Sequence, residues 1–217
     1  MRGVLLALLA LLALTGCKAD MLEVRVTASD LADVVAGKTV EVPFEASFRS
    51  FGDLDAKERE DLKHLQEIAE RYLAIEGFQV DNDGTSTTVE IEGTLPLVSG
   101  DSDTNYVYAL VVDKVDEPEL ASFPYRLGLA AGDRFSAMED EMQGVNYMSA
   151  PDEVNPVQFR LKADGGSDLK VLAGGFSVGG ENFGVQIVSI PQGESASLTF
   201  KGGAYDDVGG TLLFSNP

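Results

Sequence analysis

The chain has 217 residues, with 36 acidic side chains against 16 basic ones, a formal net charge of −20, one cysteine and one histidine. A field of that sign repels phosphate backbones and anionic surfaces, which excludes a nucleic-acid-binding role. With one cysteine there is no internal disulfide and no cysteine-rich metal site, so the fold must be held by packing.

Behind Arg2, residues Val4 to Leu14 are eleven consecutive apolar residues, short of the ~20 needed to cross a bilayer. A basic start, a short apolar run and small residues after it make up a secretory signal peptide. The run ends in Leu14-Thr15-Gly16-Cys17, which resembles the lipobox of bacterial lipoproteins. The resemblance implies that Leu14, Thr15 and Gly16 are read with Cys17 by the signal peptidase. It further implies that Cys17 is acylated and that the chain is cut between Gly16 and Cys17. Residues 1–16 are then a signal peptide and 17–217 the mature chain, whose charge becomes 15 − 36 = −21 because Arg2 alone among the charged residues is lost. Lys18, where aspartate is the usual inner-membrane retention signal, is similar to lipoproteins sorted to the outer membrane on its periplasmic side. The size and layout also resemble uncharacterised lipoproteins of bacteria and their prophages, a likeness that brings no functional residue beyond Cys17.

Lys18 to Met21 form a four-residue tether spanning at most ~14 Å, so the domain should sit close to the bilayer. Leu22-Glu23-Val24-Arg25-Val26 alternates as a half-buried strand, and Ser29 caps a short helix that Gly37 ends. Val40 to Arg49 is the clearest strand, with Pro43 predicting an edge or a bulge because it lacks a ladder donor. The periodicity then predicts a helix over Ala56 to Glu76, opened by Asp55 with Glu58 as a capping box and closed by Gly77. Its stripe of Leu62, Leu65, Ile68, Ala69, Tyr72 and Leu73 faces a sheet, while Lys63 with Glu67 and Glu67 with Arg71 pair on the far side.

Phe78 to Val80 and Thr87 to Glu92 flank Asp81-Asn82-Asp83-Gly84 and read as a hairpin. Tyr106 to Val112 is a further strand. From Asp116 to Asn155 prolines interrupt the pattern, leaving one short helix over Ala137 to Gln143 with Ser136 as its cap. The last third reads as strands at Val157 to Leu161, Leu169 to Leu172, Gly184 to Ile190, Ser195 to Phe200 and Gly210 to Phe214. The expected fold is α+β and β-rich: an antiparallel sheet with one long packed helix, followed by a β-sandwich-like C-terminal part. Residues 17–217 read as a single extracytoplasmic domain, and a subdivision, if there is one, falls between 17–150 and 151–217.

Three patterns invite a chemical reading. Gly175-Phe176-Ser177-Val178-Gly179 matches the G-x-S-x-G elbow, but no helix follows it and His64 precedes it, so it reads as a turn. Gln79, Asp81, Asp83, Gly84, Thr85 and Glu90 fall at positions of a calcium loop. Asp81, Asp83 and Glu90 are then weak calcium candidates, as are Asp101 and Asp103, although glutamine removes the first carboxylate. His64, between Glu60 and Glu67, lacks the three protein ligands that zinc requires and reads as a surface residue. The sequence displays no catalytic constellation, since acidic pairs such as Glu139 and Glu141 carry no specificity in so acidic a chain, and it implies no cofactor.

The function expected is that of a membrane-anchored, non-catalytic interaction module of the cell envelope. Its partner is an envelope protein, a cell-wall component or an incoming phage factor, with no identifiable small-molecule substrate. A structural or assembly role, or a hydrolase, is the alternative; exposed Tyr106, Tyr108, Phe123, Tyr125 or Tyr205 would mark an interface. Anchoring is the first testable consequence: Cys17→Ser should abolish incorporation of labelled fatty acid and slow processing, and unchanged labelling would end the lipoprotein reading.

Overall fold

A computed structural model describes residues 21–100, 105–145, 156–201 and 211–217. The lipobox, Asp101, Asp103 and Tyr205 lie outside the described residues. The strands are β1 (Met21–Thr27), β2 (Val40–Phe51), β3 (Ala74–Asn82), β4 (Ser86–Ser99), β5 (Tyr108–Lys114), β6 (Tyr125–Ala131), β7 (Val157–Lys162), β8 (Leu169–Val178), β9 (Glu181–Ile190), β10 (Ser195–Phe200) and β11 (Thr211–Phe214). Three helices accompany them: α1 (Ala28–Val35), α2 (Ala56–Tyr72) and α3 (Phe135–Val145).

Nine of the strands close into a barrel in the order β7-β1-β2-β4-β5-β6-β11-β8-β10, with β10 returning to β7. This corrects the expected sheet, packed helix and sandwich. The sequence pattern showed every strand but one, at least in part, but pairing between distant strands decides the architecture. β1 runs parallel to β7, with Val24 opposite Phe159, and β6 pairs antiparallel with β11, with Leu127 opposite Leu212. The sheet thus interleaves strands from both sides of residue 150. β6 itself went unread, because Arg126, Gly128 and the alanines after Leu129 blur its alternation.

The interior is filled by side chains from every part of the chain, including Leu31, Leu97, Leu127, Phe159, Phe200 and Phe214, all with almost no exposure. Phe159 meets Phe200 edge to face at 5.8 Å between ring centroids, and Tyr125 stacks on Phe214 at 5.4 Å. The outer surface is polar. Arg25 bridges Glu23 and Glu45, Gln158 donates to Glu23 at 2.6 Å, and Thr199 donates to Gln158 at 3.0 Å, tying β2, β1, β7 and β10 together. A barrel that spans a membrane shows lipid the reverse pattern, apolar outside and polar inside. None of the described helices is long and apolar enough to cross a bilayer.

α1 is capped by Thr27, not Ser29. Thr27 Oγ1 accepts from Asp30 N at 3.1 Å and Asp30 returns a bond to Thr27 N at 2.9 Å. Ser29 instead donates its N–H and hydroxyl to Asp164, at 2.9 and 3.0 Å, fastening the helix to the turn after β7. Pro43 lies inside the barrel wall and not on an edge: β2 is flanked by β1 and β4. The β1 ladder stops at Phe44, so the missing N–H falls just past the last paired residue.

The capping box of Asp55 and Glu58 forms as expected, at 2.8 and 2.7 Å. α2 ends at Tyr72 rather than Glu76, because residues from Ala74 onward pair with β4. It lies outside the barrel and buries only Ile68 and Ala69, so it is not the helix across a sheet that its stripe predicted. Lys63 reaches Glu67 at 3.9 Å, but Arg71 turns from Glu67's carboxylate to Glu141 on α3 at 2.5 Å.

β4 carries β2 along one edge and divides the other between β3 and β5, which places β3 outside the ring. Gly93 stands at the irregularity in the β3 ladder between Ile75 and Gly77. A Cβ there would overlap the Ala74 carbonyl oxygen and come within 2.9 Å of the Phe44 ring. Gly93→Ala should therefore destabilise the protein by about 1–3 kcal/mol, read as a lower denaturant midpoint at unchanged slope. An unchanged midpoint would show that the strand can move aside.

Candidate functional site

Because the barrel is filled, space for a ligand lies outside it. The N-terminal half of α2 stands over the projecting β3–β4 hairpin and leaves a solvent-open groove of about 620 Å³ between them. That volume falls within the ~300–1,000 Å³ usual for ligand pockets. The helix contributes Arg59, Leu62, Lys63 and Gln66, which recur at three- and four-residue steps and so share one face. Phe78, Val80 and Asn82 come from alternate positions of β3, and Asp53, Leu54 and Thr87 complete the lining. From Phe78 to Asn82 the groove runs for ~13 Å, four strand steps.

The floor is apolar and held in place by polar bonds beneath it. Thr87, 2% exposed, donates to Gly52 O at 3.0 Å and accepts from Asn82 Nδ2 at 2.8 Å. These bonds join the end of β2 to the tip of the hairpin. Val80 is 49% exposed, an unusual level for a large apolar side chain in this fold. On the helical wall, Arg59 donates to Leu54 O at 2.6 Å and forms no ion pair among the described residues. A guanidinium has five N–H donors in a fixed fork, so donors remain for a carboxylate.

The calcium candidates sit next to this groove but serve the hairpin. Asp83 accepts from Thr85 N at 2.8 Å, Thr85 Oγ1 at 2.7 Å and Ser86 N at 2.7 Å, with Gly84 in a left-handed turn at φ 81°. Those donors hold the Asp83 carboxyl far below the usual carboxylate range. Asp81 is opposite Thr88, and Glu90 is opposite Gln79 on one side and Ser47 on the other. Among the described residues no three His, Cys, Asp or Glu side chains gather as a metal site. His64 is exposed on α2.

The elbow-like segment is a strand and not a turn: Ser177 lies in β8 opposite Thr199 of β10, and the turn comes after the strand, at Gly179 and Gly180 with φ 58° and 86°. Of the aromatics named as interface markers, Tyr108 and Phe123 are buried, at 9% and 7% exposure, and Tyr125 stacks in the core. Tyr108 and Tyr125 belong to the barrel strands β5 and β6, and Phe123 is buried in the connection between them. The groove was the feature that the sequence reading missed. Its one signal was the spacing of Arg59 and Lys63, four residues apart beside Leu62 on one face of the helix.

A second polar cluster joins α2 to α3. Tyr72 donates to Glu141 at 2.7 Å, Arg71 binds the other carboxylate oxygen, and Arg134 lies 5.0 Å from the centre of the Tyr72 ring. The Tyr72 bond holds the Glu141 carboxyl below its ordinary range and pushes the Tyr72 hydroxyl above its own. This cluster ties the C-terminal end of α2 to α3. No protein-family model and no curated protein sequence matches the chain.

The hairpin bonds make a pH prediction. The folded Asp83 is depressed relative to an unfolded aspartate near ~3.9. Its contribution to stability is therefore present above that value and lost as pH falls below it. The stability difference between the parent and Asp83→Ala should be constant from pH 7 to about 5 and shrink between about pH 4 and 2. A difference independent of pH would mean that the carboxylate charge plays no part in the turn.

Proposed function

We propose that the protein is a lipid-anchored, non-catalytic interaction module of the bacterial envelope, and that its partner is a protein that lays an acidic, otherwise apolar segment in the groove between α2 and β3. The groove carries this reading. Leu54, Leu62, Phe78 and Val80 offer apolar contact, while Arg59 and Lys63 offer positive charge on a chain of net charge −20. An open trough encloses a small molecule poorly, since such ligands are usually buried by 70–90%. It lets a linear segment enter at one end and leave at the other. At ~3.3 Å per extended residue the ~13 Å floor takes about four residues.

The anchor at Cys17 supports the same reading. β1 starts at Met21, four residues after the cysteine, so an acyl group on Cys17 would hold the barrel close to the bilayer and favour a partner in the envelope nearby. Arginine suits the recognition step because its planar fork takes a carboxylate bidentately, with charge-assisted bonds about twice as strong as neutral ones. Salt should weaken the exposed charge contacts while leaving apolar contact in place.

A pair of synthetic four-residue peptides, one glutamate among leucines and its glutamine counterpart, tests the proposal by calorimetry. The glutamate peptide should bind at least ~10-fold more tightly, a difference of ~1.4 kcal/mol, and Arg59→Gln should remove the preference. Equal binding of the two peptides, or a preference that survives Arg59→Gln, would reject the assignment.

A further inference from the structure

The ladders place the floor of the groove relative to the start of the barrel. Met21, the first residue of β1, lies opposite Ser47 of β2; Ser47 lies opposite Glu90 of β4, and Glu90 opposite Gln79 of β3. These residues form one line across four strands. Neighbouring strands are ~4.8 Å apart, so Gln79 is ~14 Å from Met21. β1 starts at this line, whereas β2 runs past it for four steps to Phe51 and β3 for three steps to Asn82. The hairpin therefore overhangs the start of β1 by ~10–13 Å. Val80, Asn82 and Thr87 line the groove from this overhang, and Phe78 lies one step on the other side of the line.

The same end of β1 receives the chain from Cys17. Only Lys18, Ala19 and Asp20 stand between Cys17 and Met21, so these two are at most ~14 Å apart. Asn82, at the end of the floor, is ~17 Å from Met21 by the ladder, and so at most ~31 Å from Cys17. With Cys17 acylated, that length is counted from the bilayer surface. It equals about nine extended residues.

We propose that the groove takes the juxtamembrane segment of a protein embedded in, or anchored to, the same membrane, within about nine extended residues of the bilayer. The inference rests on the anchored, peptide-binding reading above and fixes where on the partner the segment lies. Charge and chain length select this occupant. Arg59 and Lys63 suit an acidic segment, but a free acidic peptide must approach through the field of a chain of net charge −20. A contact of about four residues is also far below the ~1,200–2,000 Å² of stable complexes. Two anchors in one membrane offset both handicaps, since linkage of this kind raises avidity by ~10²–10⁴ without a new contact.

The test uses the full acylated chain in phosphatidylcholine vesicles, with a photoreactive residue in place of Val80. The glutamate peptide described above is supplied either free or joined to a lipid headgroup through a Gly/Ser linker of about nine residues. The lipid-borne peptide should reach half-maximal crosslinking at a concentration at least ~10-fold lower than the free one, and Arg59→Gln should remove the crosslink. Orientation is read separately, by energy transfer to acceptor lipids from a dye on Asp81→Cys or Glu41→Cys; acylation of Cys17 leaves the introduced thiol as the reactive one. Asp81 lies two steps past the Met21 line and Glu41 six steps on its other side, so transfer should be higher from Asp81→Cys. Equal or reversed transfer overturns the inference, as does a lipid-borne peptide with no advantage, or lipid or a second copy of the chain as the crosslinked product. Binding of the free peptide in calorimetry would then leave the groove reading in place. A chain that fails to float with the vesicles removes the anchor and this inference together.

Discussion

Everything in this fold depends on how β8 divides its hydrogen bonds. One edge is occupied along its length by β9, from Leu169 opposite Ile190 to Val178 opposite Glu181. The other edge is shared: Val171 to Ala173 pair with β11, and Ser177 pairs with Thr199 of β10. That last bridge turns a curved sheet into a ring. Gly175, at φ 66°, lies between the two partners and lets the strand reorient, since the burial pattern passes from the odd positions 169, 171 and 173 to Phe176. A residue with a Cβ would be strained in that conformation. The open serine motif is thus a hinge of the barrel seam, and its glycines serve the backbone.

Closure has a consequence for where recognition takes place. A ring of nine strands can enclose a ligand, but here Phe159, Phe200, Phe214 and the leucines around them fill the interior. The outer wall is polar and cross-linked by Glu23, Arg25, Glu45 and Gln158. The elements that the ring excludes stand apart from this wall. β3 and β9 each pair with one wall strand and project from it, and α2 rests on the first of these hairpins. The barrel acts as a rigid base, and the projecting elements carry the exposed apolar side chains Val80, Val185 and Ile187.

Electrostatics divides the surface further. Many of the few cations are already committed to carboxylates: Arg25 to Glu23, Arg71 to Glu141, Arg126 to Asp113, Lys57 to Asp61 and Lys38 to Asp33. Exposed pairs of this kind stabilise by little, typically under ~1 kcal/mol. The net charge keeps the protein's field strongly negative, while Arg59, bonded among the described residues to a backbone carbonyl, keeps donors available. An acidic surface repels acidic segments at a distance, so the binding proposed for the groove would rely on short-range contact tuned by ionic strength.

The sequence determined the local elements well, because their signals are local. Alternation marked β1, β2 and β4, the reciprocal bonds of Asp55 and Glu58 opened α2, and Asp83 with Gly84 turned the first hairpin. Each of these rests on residues within a few positions of one another. The cap of α1 shows the limit at short range: Thr27 and Ser29 are both competent hydroxyls, and the choice fell to Thr27 because Asp164, 135 residues away, takes Ser29. Only the tertiary structure decided the barrel, since β1 beside β7 and β6 beside β11 are pairings between apolar strands that any of several partners would satisfy equally. It decided the groove for the same reason. Arg59 and Phe78 lie on different elements, and no periodicity within either one shows that α2 stands over β3 and not across the barrel wall.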